Sequence, residues 1–313
     1  MKIAVTGGMG FIGTELVHHL IRCGHSVAVV DFCKKILERN QLYAKKNENE
    51  NYKVNNKIFN NLKNAYEIYE PDEFLNKCHE YDTVVHLGAC TDTQVADDYL
   101  FNNNFKYVDD LLLALSRLSK SYKKLIFISS ASVYGNSGSP ENVYALSKAI
   151  GESKVKKWCK SSTTNEAVCF RLFNVFGDSE YHKDHMASVP FKINESFNRH
   201  NKFELFNPES RRDFVAVSVV VDTIYKSLTG DFAKPTNDCK IYDVGMGESY
   251  SFEFIANKIK LFNNGAKIKY VDAPKNLIGY QHNTCAGKNG VENAVKAEHD
   301  IEYYLREYYG KNT

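Results

Sequence analysis

The chain has 313 residues, 43% of them hydrophobic, which is enough to bury the core of one large α/β unit or of two joined lobes. Its 40 Lys and Arg against 38 Asp and Glu leave a net charge of +2, far below that of nucleic-acid-binding proteins. No apolar run is long enough to span a membrane, and no leader opens the sequence, so we expect neither a membrane partner nor export. Eight scattered cysteines lack the spacing of a zinc site and indicate reduced thiols in a cytoplasmic protein without a metal site.

Short β-rich runs alternate with helical patterns along the first 173 residues. Strands are predicted over 2–5, 26–31, 83–89, 124–129 and 167–173, and helices over 11–23, 99–121 and 144–160. This alternation is typical of βαβ units, and the continuous apolar strands indicate a parallel sheet covered by helices on both faces. We therefore predict the α/β class, with a doubly wound parallel sheet of the Rossmann type. The polar stretch between Phe32 and Tyr69 is predicted to form loops and edge elements.

The alternation breaks after Phe173. The next predicted elements are helices over 186–198 and 217–228 and a strand over 240–244. A last helix, 301–310, carries an apolar stripe that more often packs into the body of a protein than against a partner. We expect a smaller, interleaved C-terminal α/β lobe for the substrate. The predicted domains are 1–173 plus 215–246, which contains the doubly wound sheet, and 174–214 plus 247–313, the smaller lobe.

A glycine-rich turn joins the first predicted strand to the first helix. In KIAVTGGMGFIGTELV (2–17), Gly7, Gly10 and Gly13 form a G-x-x-G-x-x-G pattern. Glycine allows the tight turn and the close approach of a pyrophosphate to the amides at the helix N-terminus. The pattern alone is weak evidence, because plain βα turns also use glycine.

Asp31 ends the second predicted strand and strengthens the dinucleotide interpretation. A carboxylate at this position accepts hydrogen bonds from the adenosine ribose, which favours NAD. Lys34 and Lys35 follow, and their charges suit the 2′-phosphate of NADP. The residues therefore leave the choice between NAD and NADP open.

Ser130, Tyr144 and Lys148 form a pattern suited to oxidising an alcohol. Ser130 ends a predicted strand, and the tyrosine and lysine lie four residues apart on one helical face, where an ordinary amphipathic surface is the alternative interpretation. A phenol has a pKa of about 10, so a neighbouring ammonium and a helix N-terminus must stabilise the phenolate for it to act as a base. Ser130 would hydrogen-bond the same alcohol oxygen. With the glycine turn and Asp31, the set predicts hydride transfer from a secondary alcohol.

The whole sequence resembles the extended short-chain dehydrogenase/reductase family, which includes sugar-nucleotide epimerases and dehydratases. The segments that match its motifs are RLFNVFG (171–177), RRDFVAV (211–217) and YDVGMG (242–247). Other segments resemble the ADP-L-glycero-D-manno-heptose 6-epimerases within that family: HLGACTDT (86–93), YLFNNN (99–104), HKDHMASVPF (182–191) and GYQ (279–281). The resemblance implies inversion of C6 of a nucleotide-activated heptose through a transient ketone, for lipopolysaccharide-core or surface-sugar precursors. It also implies tightly bound NADP, with NAD as the alternative, and a homo-oligomer.

An epimerase of this kind needs a second proton donor, and the resemblance implies that Lys183 is that group. Hydride leaves one face of the carbon and returns to the other, so the ketone must turn until its oxygen points away from Tyr144. His182 and His185 flank Lys183, and partial desolvation by the sugar would make its ammonium a better acid. From the residues alone, a solvated or phosphate-binding loop lysine is the more ordinary interpretation.

The resemblance further implies two sets of binding residues beside the catalytic Ser130, Tyr144, Lys148 and Lys183. The cofactor set is Gly7, Gly10, Phe11, Ile12, Gly13, Asp31, Phe32, Gly88, Ala89, Cys90, Thr91, Asn103, Lys148 and Val175. The substrate set is Ser130, Asn174, His185, Lys192, Phe206, Arg212 and Tyr280. The planar fork of Arg212 suits two oxygens of a diphosphate. Ordinary surface charge or a polar contact explains Lys192 and the histidines equally well.

The chain also departs from the heptose epimerase pattern. Asp184 and His185 replace a Gly-Ser pair, Lys192 replaces a histidine, the segment before Tyr144 is shorter, the insertion before Tyr69 is longer, and one residue is lost before Tyr280. Another epimerase, dehydrogenase or reductase of a UDP-, GDP- or dTDP-linked sugar is therefore the alternative function. A dehydratase is disfavoured because Ala131-Ser132 stand where dehydratases carry Asp-Glu. A non-catalytic dinucleotide-binding regulator is a remote alternative.

Overall fold

The structure is a computed structural model that describes residues 1–32, 63–117, 123–230, 239–273, 283–288, 294–295 and 297–310. Lys34, Lys35, Tyr280 and most of the polar stretch after Phe32 lie outside the described residues. The helices are α1 (Phe11–Arg22), α2 (Pro71–Phe74), α3 (Asp97–Leu100), α4 (Tyr107–Ser116), α5 (Val143–Lys160), α6 (Val189–His200), α7 (Val217–Thr229), α8 (Phe252–Lys260) and α9 (Ile301–Tyr309).

The strands follow the same order along the chain. They are β1 (Lys2–Thr6), β2 (Ser26–Val30), β3 (Glu67–Tyr69), β4 (Thr83–His86), β5 (Lys123–Ser130), β6 (Asn165–Leu172), β7 (Asn174–Phe176), β8 (Lys202–Leu205), β9 (Arg211–Arg212), β10 (Phe214–Ala216), β11 (Lys240–Val244), β12 (Tyr250–Ser251), β13 (Lys267–Tyr270) and β14 (Ala294–Val295). The strand predicted over 240–244 is confirmed at both ends, and the other predicted strands are confirmed to within three residues.

Eight of the described strands form one sheet in the order β14-β11-β6-β5-β4-β1-β2-β3. The pairs β1–β2, β2–β3, β1–β4, β4–β5 and β11–β14 are parallel. The predicted doubly wound parallel sheet is therefore confirmed, with the predicted edge element present as β3. The winding reverses at β1, which lies between β2 and β4. Such a switch point at the carboxyl ends of the strands is where doubly wound sheets bind ligands.

The helix predicted over 99–121 is not regular. It consists of α3, a π-helical segment over Phe101–Lys106, and α4. A π segment has one extra residue per turn and is frequent at functional sites. The strands β7 to β10 and β12 to β14 were not predicted, because strands of two to four residues are too short to show an alternating pattern.

The chain divides into two compact units, each made of three stretches of sequence. Unit 1 consists of Met1–Ser129, Asn142–Cys169 and Ile224–Lys240. Its core contains the buried apolar residues of β1, β2 and β4, and α1 packs against β1 and β2. None of the helices within the described ranges combines the length and apolarity that crossing a bilayer requires.

Unit 2 consists of Ser130–Glu141, Phe170–Thr223 and Ile241–Thr313. In its described part, β7 pairs with β10, β8 with β13, and β9 with β12. Helix α9 buries Ile301 and Leu305, which confirms that its apolar stripe packs into the body of the protein. The phenol of Tyr309 on the same helix donates a 3.0 Å hydrogen bond to the carbonyl of Gly177.

Candidate active site

The glycine turn of unit 1 brings two backbone segments into direct contact at the switch point. Gly7 follows β1 with a φ of +69°, and its N–H donates a 2.8 Å hydrogen bond to the carbonyl of Val30. A Cβ added to Gly7 would lie 2.8 Å from the nitrogen of Gly88, and one added to Gly13 would lie 2.0 Å from the carbonyl oxygen of Gly7. Only glycine fits at these two positions. Gly10 precedes α1 and has no side chain to cap the helix, and the N-terminus of a helix favours an anion.

The carboxylate of Asp31 lies beside this turn, at the end of β2. Oδ2 accepts a 2.9 Å hydrogen bond from the N–H of Met9, and Oδ1 accepts a 2.8 Å bond from the N–H of Phe32. An ionised carboxylate has about four lone-pair positions, so it can also accept from the hydroxyls of a ribose. The glycine turn and Asp31 therefore fit a dinucleotide.

The π segment positions the loop that follows β4. Asn104 is 4% exposed; its Oδ1 accepts a 2.7 Å bond from the N–H of Cys90, and its Nδ2 donates a 2.8 Å bond to the carbonyl of Cys90. Its neighbour Asn103, the residue predicted for the cofactor, donates to the carbonyl of Tyr99. The structural role of Asn104 was not predicted, because the sequence does not show which of the three consecutive asparagines 102–104 is buried. It holds Cys90, within the predicted cofactor set, in place.

Lys148 is buried in unit 1 beneath the ring of Tyr144. Its Nζ donates a 2.8 Å hydrogen bond to the carbonyl of Ile128 and lies 6.0 Å from the centre of the Tyr144 ring. Burial lowers the pKa of Lys148 to about 8. Gly151 allows this close packing of α5 on β5, because a Cβ there would lie 2.5 Å from the Phe127 ring. The predicted pair of tyrosine and lysine on one helix is thus observed, with the ammonium held by a backbone carbonyl.

A buried carboxylate that the sequence did not reveal lies one turn further along α5. Glu152 is 5% exposed, and its Oε1 accepts a 2.6 Å hydrogen bond from the hydroxyl of Ser129. Its charge raises the pKa of Lys148 and so opposes the larger effect of burial. The balance of the two helps to keep the Lys148 ammonium charged near neutral pH.

In unit 2, Ser130 is the N-cap of a short 3₁₀ helix over Ala131–Tyr134. The Oγ of Ser130 accepts a 3.2 Å hydrogen bond from the N–H of Ser132, an arrangement that leaves its own hydroxyl hydrogen to another acceptor. Tyr134 donates a 2.7 Å bond to Asp243 and accepts a 2.8 Å bond from Arg171. A small cleft borders this segment; its lining includes Ala131, Tyr134, Gly135, Phe173, Thr284 and Lys288.

Three predicted substrate residues of unit 2 have defined surroundings. Asn174 donates from Nδ2 to the carbonyl of Asp213 at 3.0 Å and to the hydroxyl of Thr284 at 3.1 Å. Arg212 is 6% exposed, and its guanidinium carbon lies 5.6 Å from the centre of the Phe252 ring. Phe206 is half-buried between β8 and β9.

The buried carboxylate of Asp213 ties together the backbone around Arg212 and was also missed. It accepts hydrogen bonds from the N–H groups of Met246, Gly247 and Ala286 at 2.6 to 2.9 Å. Burial raises its pKa to about 6, against the three donors, which lower it. Asp213 lies within the RRDFVAV segment that matches the family motif, so the sequence could have indicated its importance. It could not have indicated its hydrogen-bond partners, which are remote in the sequence.

Lys183 is not a solvated loop lysine in this structure. It lies in a helical turn over Tyr181–Met186, its side chain is 24% exposed, and its Nζ lies 2.7 Å from Oε2 of Glu180. The side chain of Glu180 is fully buried. His185, by contrast, is exposed and accepts a 2.6 Å bond from Lys192 through its backbone carbonyl.

The residue after Lys183 has a backbone conformation that favours glycine. Asp184 has φ 45° and ψ −121°, a region in which side chains are strained at a cost of about 1–3 kcal/mol. In the heptose epimerases that the chain resembles, a glycine stands at this position. The backbone of Asp184 thus has dihedral angles that glycine adopts without strain.

We expect Asp184→Gly to raise the free energy of unfolding by about 1 kcal/mol, because it removes the clash of the Cβ atom. Thermal unfolding followed by circular dichroism measures the change, expected as about 2 °C in Tm. Asp184→Ala is the control, since alanine keeps the Cβ atom and should gain nothing. Equal stability of the glycine and alanine variants would show that no strain is stored at this residue.

Comparison with known proteins gives three findings. The model of the NAD dependent epimerase/dehydratase family matches residues 3–245. The chain is 32% identical over 302 residues to the ADP-L-glycero-D-manno-heptose-6-epimerase of Brachyspira hyodysenteriae, covering 91% of this chain and 88% of that protein. Among solved structures, the Helicobacter pylori ADP-L-glycero-D-manno-heptose-6-epimerase is similar with a TM-score of 0.74 at 23% identity, over 98% of this chain and 94% of that one.

A structure of a different sugar-nucleotide enzyme is similar to the same extent. The Thermus thermophilus UDP-glucose 4-epimerase, solved in complex with NAD, has a TM-score of 0.72 at 20% identity and covers the whole of this chain and 98% of its own. At such identities the structural likeness concerns the fold alone.

Proposed function

Because the chain belongs to the NAD dependent epimerase/dehydratase family, we propose that it inverts C6 of a nucleotide-activated heptose. The family expected from the sequence is confirmed, and the protein is an isomerase, a sugar-nucleotide epimerase. Within that class, we propose an ADP-linked glycero-manno-heptose as substrate and a precursor of lipopolysaccharide core or surface sugar as product. The heptose epimerase of Brachyspira, to which the chain is 32% identical, supports this choice.

One observation carries the proposal beyond the family: the ammonium of Lys183 is held by a buried carboxylate. A redox epimerase needs two acid–base groups, one for each orientation of the oxygen at the inverted carbon. Tyr144, with Lys148 beneath it, provides the first group. Lys183, fixed against Glu180 in a turn that precedes α6, provides the second. A lysine held in this way is suited to chemistry, whereas a solvated lysine would need no buried partner.

The residues of unit 1 fit a nicotinamide dinucleotide, which when bound supplies the acceptor and donor of hydride. Gly7, Gly10 and Gly13 would lie against its diphosphate, and Asp31 would accept from its adenosine ribose. We propose NADP, tightly bound, with NAD as the alternative that Asp31 and the family description support. Tyr144, as a phenolate stabilised by the ammonium of Lys148, would take the proton of the C6 hydroxyl and become a neutral phenol.

The remaining residues of unit 2 would position the sugar and complete the inversion. Ser130 would donate its hydroxyl hydrogen to the C6 oxygen, and Arg212 would bind the diphosphate of the substrate. After the ketone has turned, Lys183 would give a proton to the oxygen that forms the new hydroxyl. Asn174, His185, Lys192, Phe206 and Tyr280 are the further substrate residues we propose.

We also propose a cytoplasmic homo-oligomer. Unit 1 exposes large apolar side chains on the segments that surround the π turn and on α5: Tyr99, Phe101, Leu113 and Leu146 are each about half exposed. Exposed apolar side chains on neighbouring elements are typical of surfaces that associate. Their exposure on elements that contact one another supports an interface between copies of the chain.

We expect the purified protein to interconvert the C6 epimers of an ADP-heptose without added or consumed cofactor. Each enzyme would reuse its own dinucleotide, because the hydride removed from the sugar returns to it. Proton NMR of the sugar measures the conversion, and mass spectrometry of the cofactor released on denaturation identifies NADP or NAD. The same assay with UDP-, GDP- and dTDP-linked sugars tests the alternative substrates. Turnover only with stoichiometric external NAD(P) would identify a dehydrogenase or reductase instead.

A further inference from the structure

Glu180 is a fully enclosed carboxylate beside Lys183, a proposed catalytic group. Its side chain has no exposed surface and accepts four hydrogen bonds, two at each oxygen. Oε1 accepts from the N–H of Gly177 at 3.2 Å and from the hydroxyl of Ser188 at 2.6 Å. Oε2 accepts from the N–H of Ser188 at 2.8 Å and from the ammonium of Lys183 at 2.7 Å.

These contacts tie both ends of one segment, residues 177–188, to a single side chain. Ser188 is the N-cap of α6, where its Oγ accepts from the N–H of Phe191. At the other end, the carbonyl of Gly177 accepts from the buried phenol of Tyr309 on α9. The segment that carries Lys183 is therefore anchored to two helices of unit 2.

The charge of Glu180 is not needed for the backbone contacts alone. Hydrogen bonds from the N–H groups of Gly177 and Ser188 do not neutralise a charge, and a buried carboxylate is unfavourable unless a cation pairs with it. Lys183 supplies that cation. The pairing also restricts the long lysine side chain before substrate binds, so its rotamer entropy is not lost during the reaction.

We propose that Glu180 is a positioning residue for the reaction, which holds the ammonium of Lys183 at the place where it gives its proton to the substrate oxygen. This inference rests on the proposed function, because Lys183 has a catalytic role only there. Glu180 has no contact with substrate in this proposal and acts through Lys183 alone.

A double-mutant cycle of Glu180→Gln and Lys183→Met tests the inference. Gln keeps the volume of the side chain and an oxygen for Lys183, removes the charge, and places an NH₂ group where Oε1 accepts from Gly177. We expect Glu180→Gln to lower kcat for epimerisation at least tenfold while changing KM less than twofold. In the Lys183→Met background the same substitution should change kcat less than twofold, because Glu180 then has no ammonium to position. Multiplicative losses in the double variant, or a wild-type kcat in Glu180→Gln, would overturn the inference.

Glu302→Gln is the matched control, since it removes the carboxylate that pairs with Lys258 at 2.6 Å elsewhere in unit 2. Its kcat should equal that of the wild type. If Glu180→Gln does not fold, Glu180→Asp takes its place in the cycle. The shorter carboxylate keeps the charge and moves it away from Lys183, so the same outcomes are expected.

Reductive methylation of Lys183, followed by mass spectrometry, tests the ion pair without any substrate. We expect the amine to react at least threefold faster in Glu180→Gln than in the wild type, because the hydrogen bond to the carboxylate protects it. If the wild type epimerises no nucleotide-linked sugar, the proposed function fails while the methylation result still stands. If the wild type epimerises and neither kcat nor methylation changes in Glu180→Gln, only the inference about Glu180 fails.

Discussion

Replacing Tyr144 with phenylalanine is expected to lower kcat for epimerisation by about 10²- to 10⁴-fold, the range in which general acid–base groups contribute. The ring would stay 6.0 Å from the ammonium of Lys148, so the packing of α5 should persist. Only the hydroxyl that exchanges a proton with the sugar is lost. Steady-state kinetics measures kcat, and mass spectrometry of the denatured protein measures how much dinucleotide remains bound, which should match the wild type.

Tyr99→Phe is the control for this substitution. Tyr99 is about half exposed on α3, so loss of its hydroxyl should leave kcat and cofactor content unchanged. Unchanged turnover in Tyr144→Phe would remove the catalytic assignment. It would then favour the interpretation of the chain as a dinucleotide-binding protein without chemistry.

The glycine turn and the pair of Tyr144 and Lys148 were predictable because their signals are local. Gly7 and Gly13 lie within one strand–turn–helix unit. Their spacing indicates a turn in which backbone atoms come too close for a side chain. The spacing of Tyr144 and Lys148 likewise follows from one helix. The alternation of strands and helices predicted the sheet, since each element is long enough to show its period.

The carboxylates Glu180, Asp213 and Glu152 were not predictable in the same way. Each is a charged residue in a polar context, which ordinarily indicates a solvated surface. Their burial depends on partners that only the fold brings near, such as the N–H of Ala286, 73 residues beyond Asp213. Composition and period carry no information about such contacts.

The segment around Lys183 shows both cases. The resemblance implied a role for the lysine and indicated that Asp184 stands where the family has a glycine. The structure shows that Asp184 has the positive φ that favours glycine. Nothing in the sequence indicated that Glu180, three residues earlier, would be the partner of the lysine. The two residues are close in sequence, yet their ion pair depends on the anchoring of the segment by α6 and α9.

Lys183→Met is expected to abolish epimerisation, with kcat lowered by about 10²- to 10⁴-fold, while the dinucleotide stays bound. Methionine has a similar length and no proton to give, so the second orientation of the oxygen loses its acid–base group. Tyr144 remains, so only one C6 epimer should still be oxidised. Fluorescence of the bound nicotinamide, recorded after adding each epimer separately, measures this: one epimer should reduce it and the other should not.

The stability of this variant separates a catalytic from a structural effect, because Lys183→Met leaves Glu180 as a buried charge without its cation. Such a loss costs about 3–5 kcal/mol, which denaturant unfolding would detect. Adding Glu180→Gln removes the charge and should recover most of that stability without recovering kcat. Lys258→Met, which breaks an exposed ion pair with Glu302, should leave kcat unchanged. Normal epimerisation by Lys183→Met, or recovery of kcat together with stability in the double variant, would show that Lys183 holds the fold and takes no part in the chemistry.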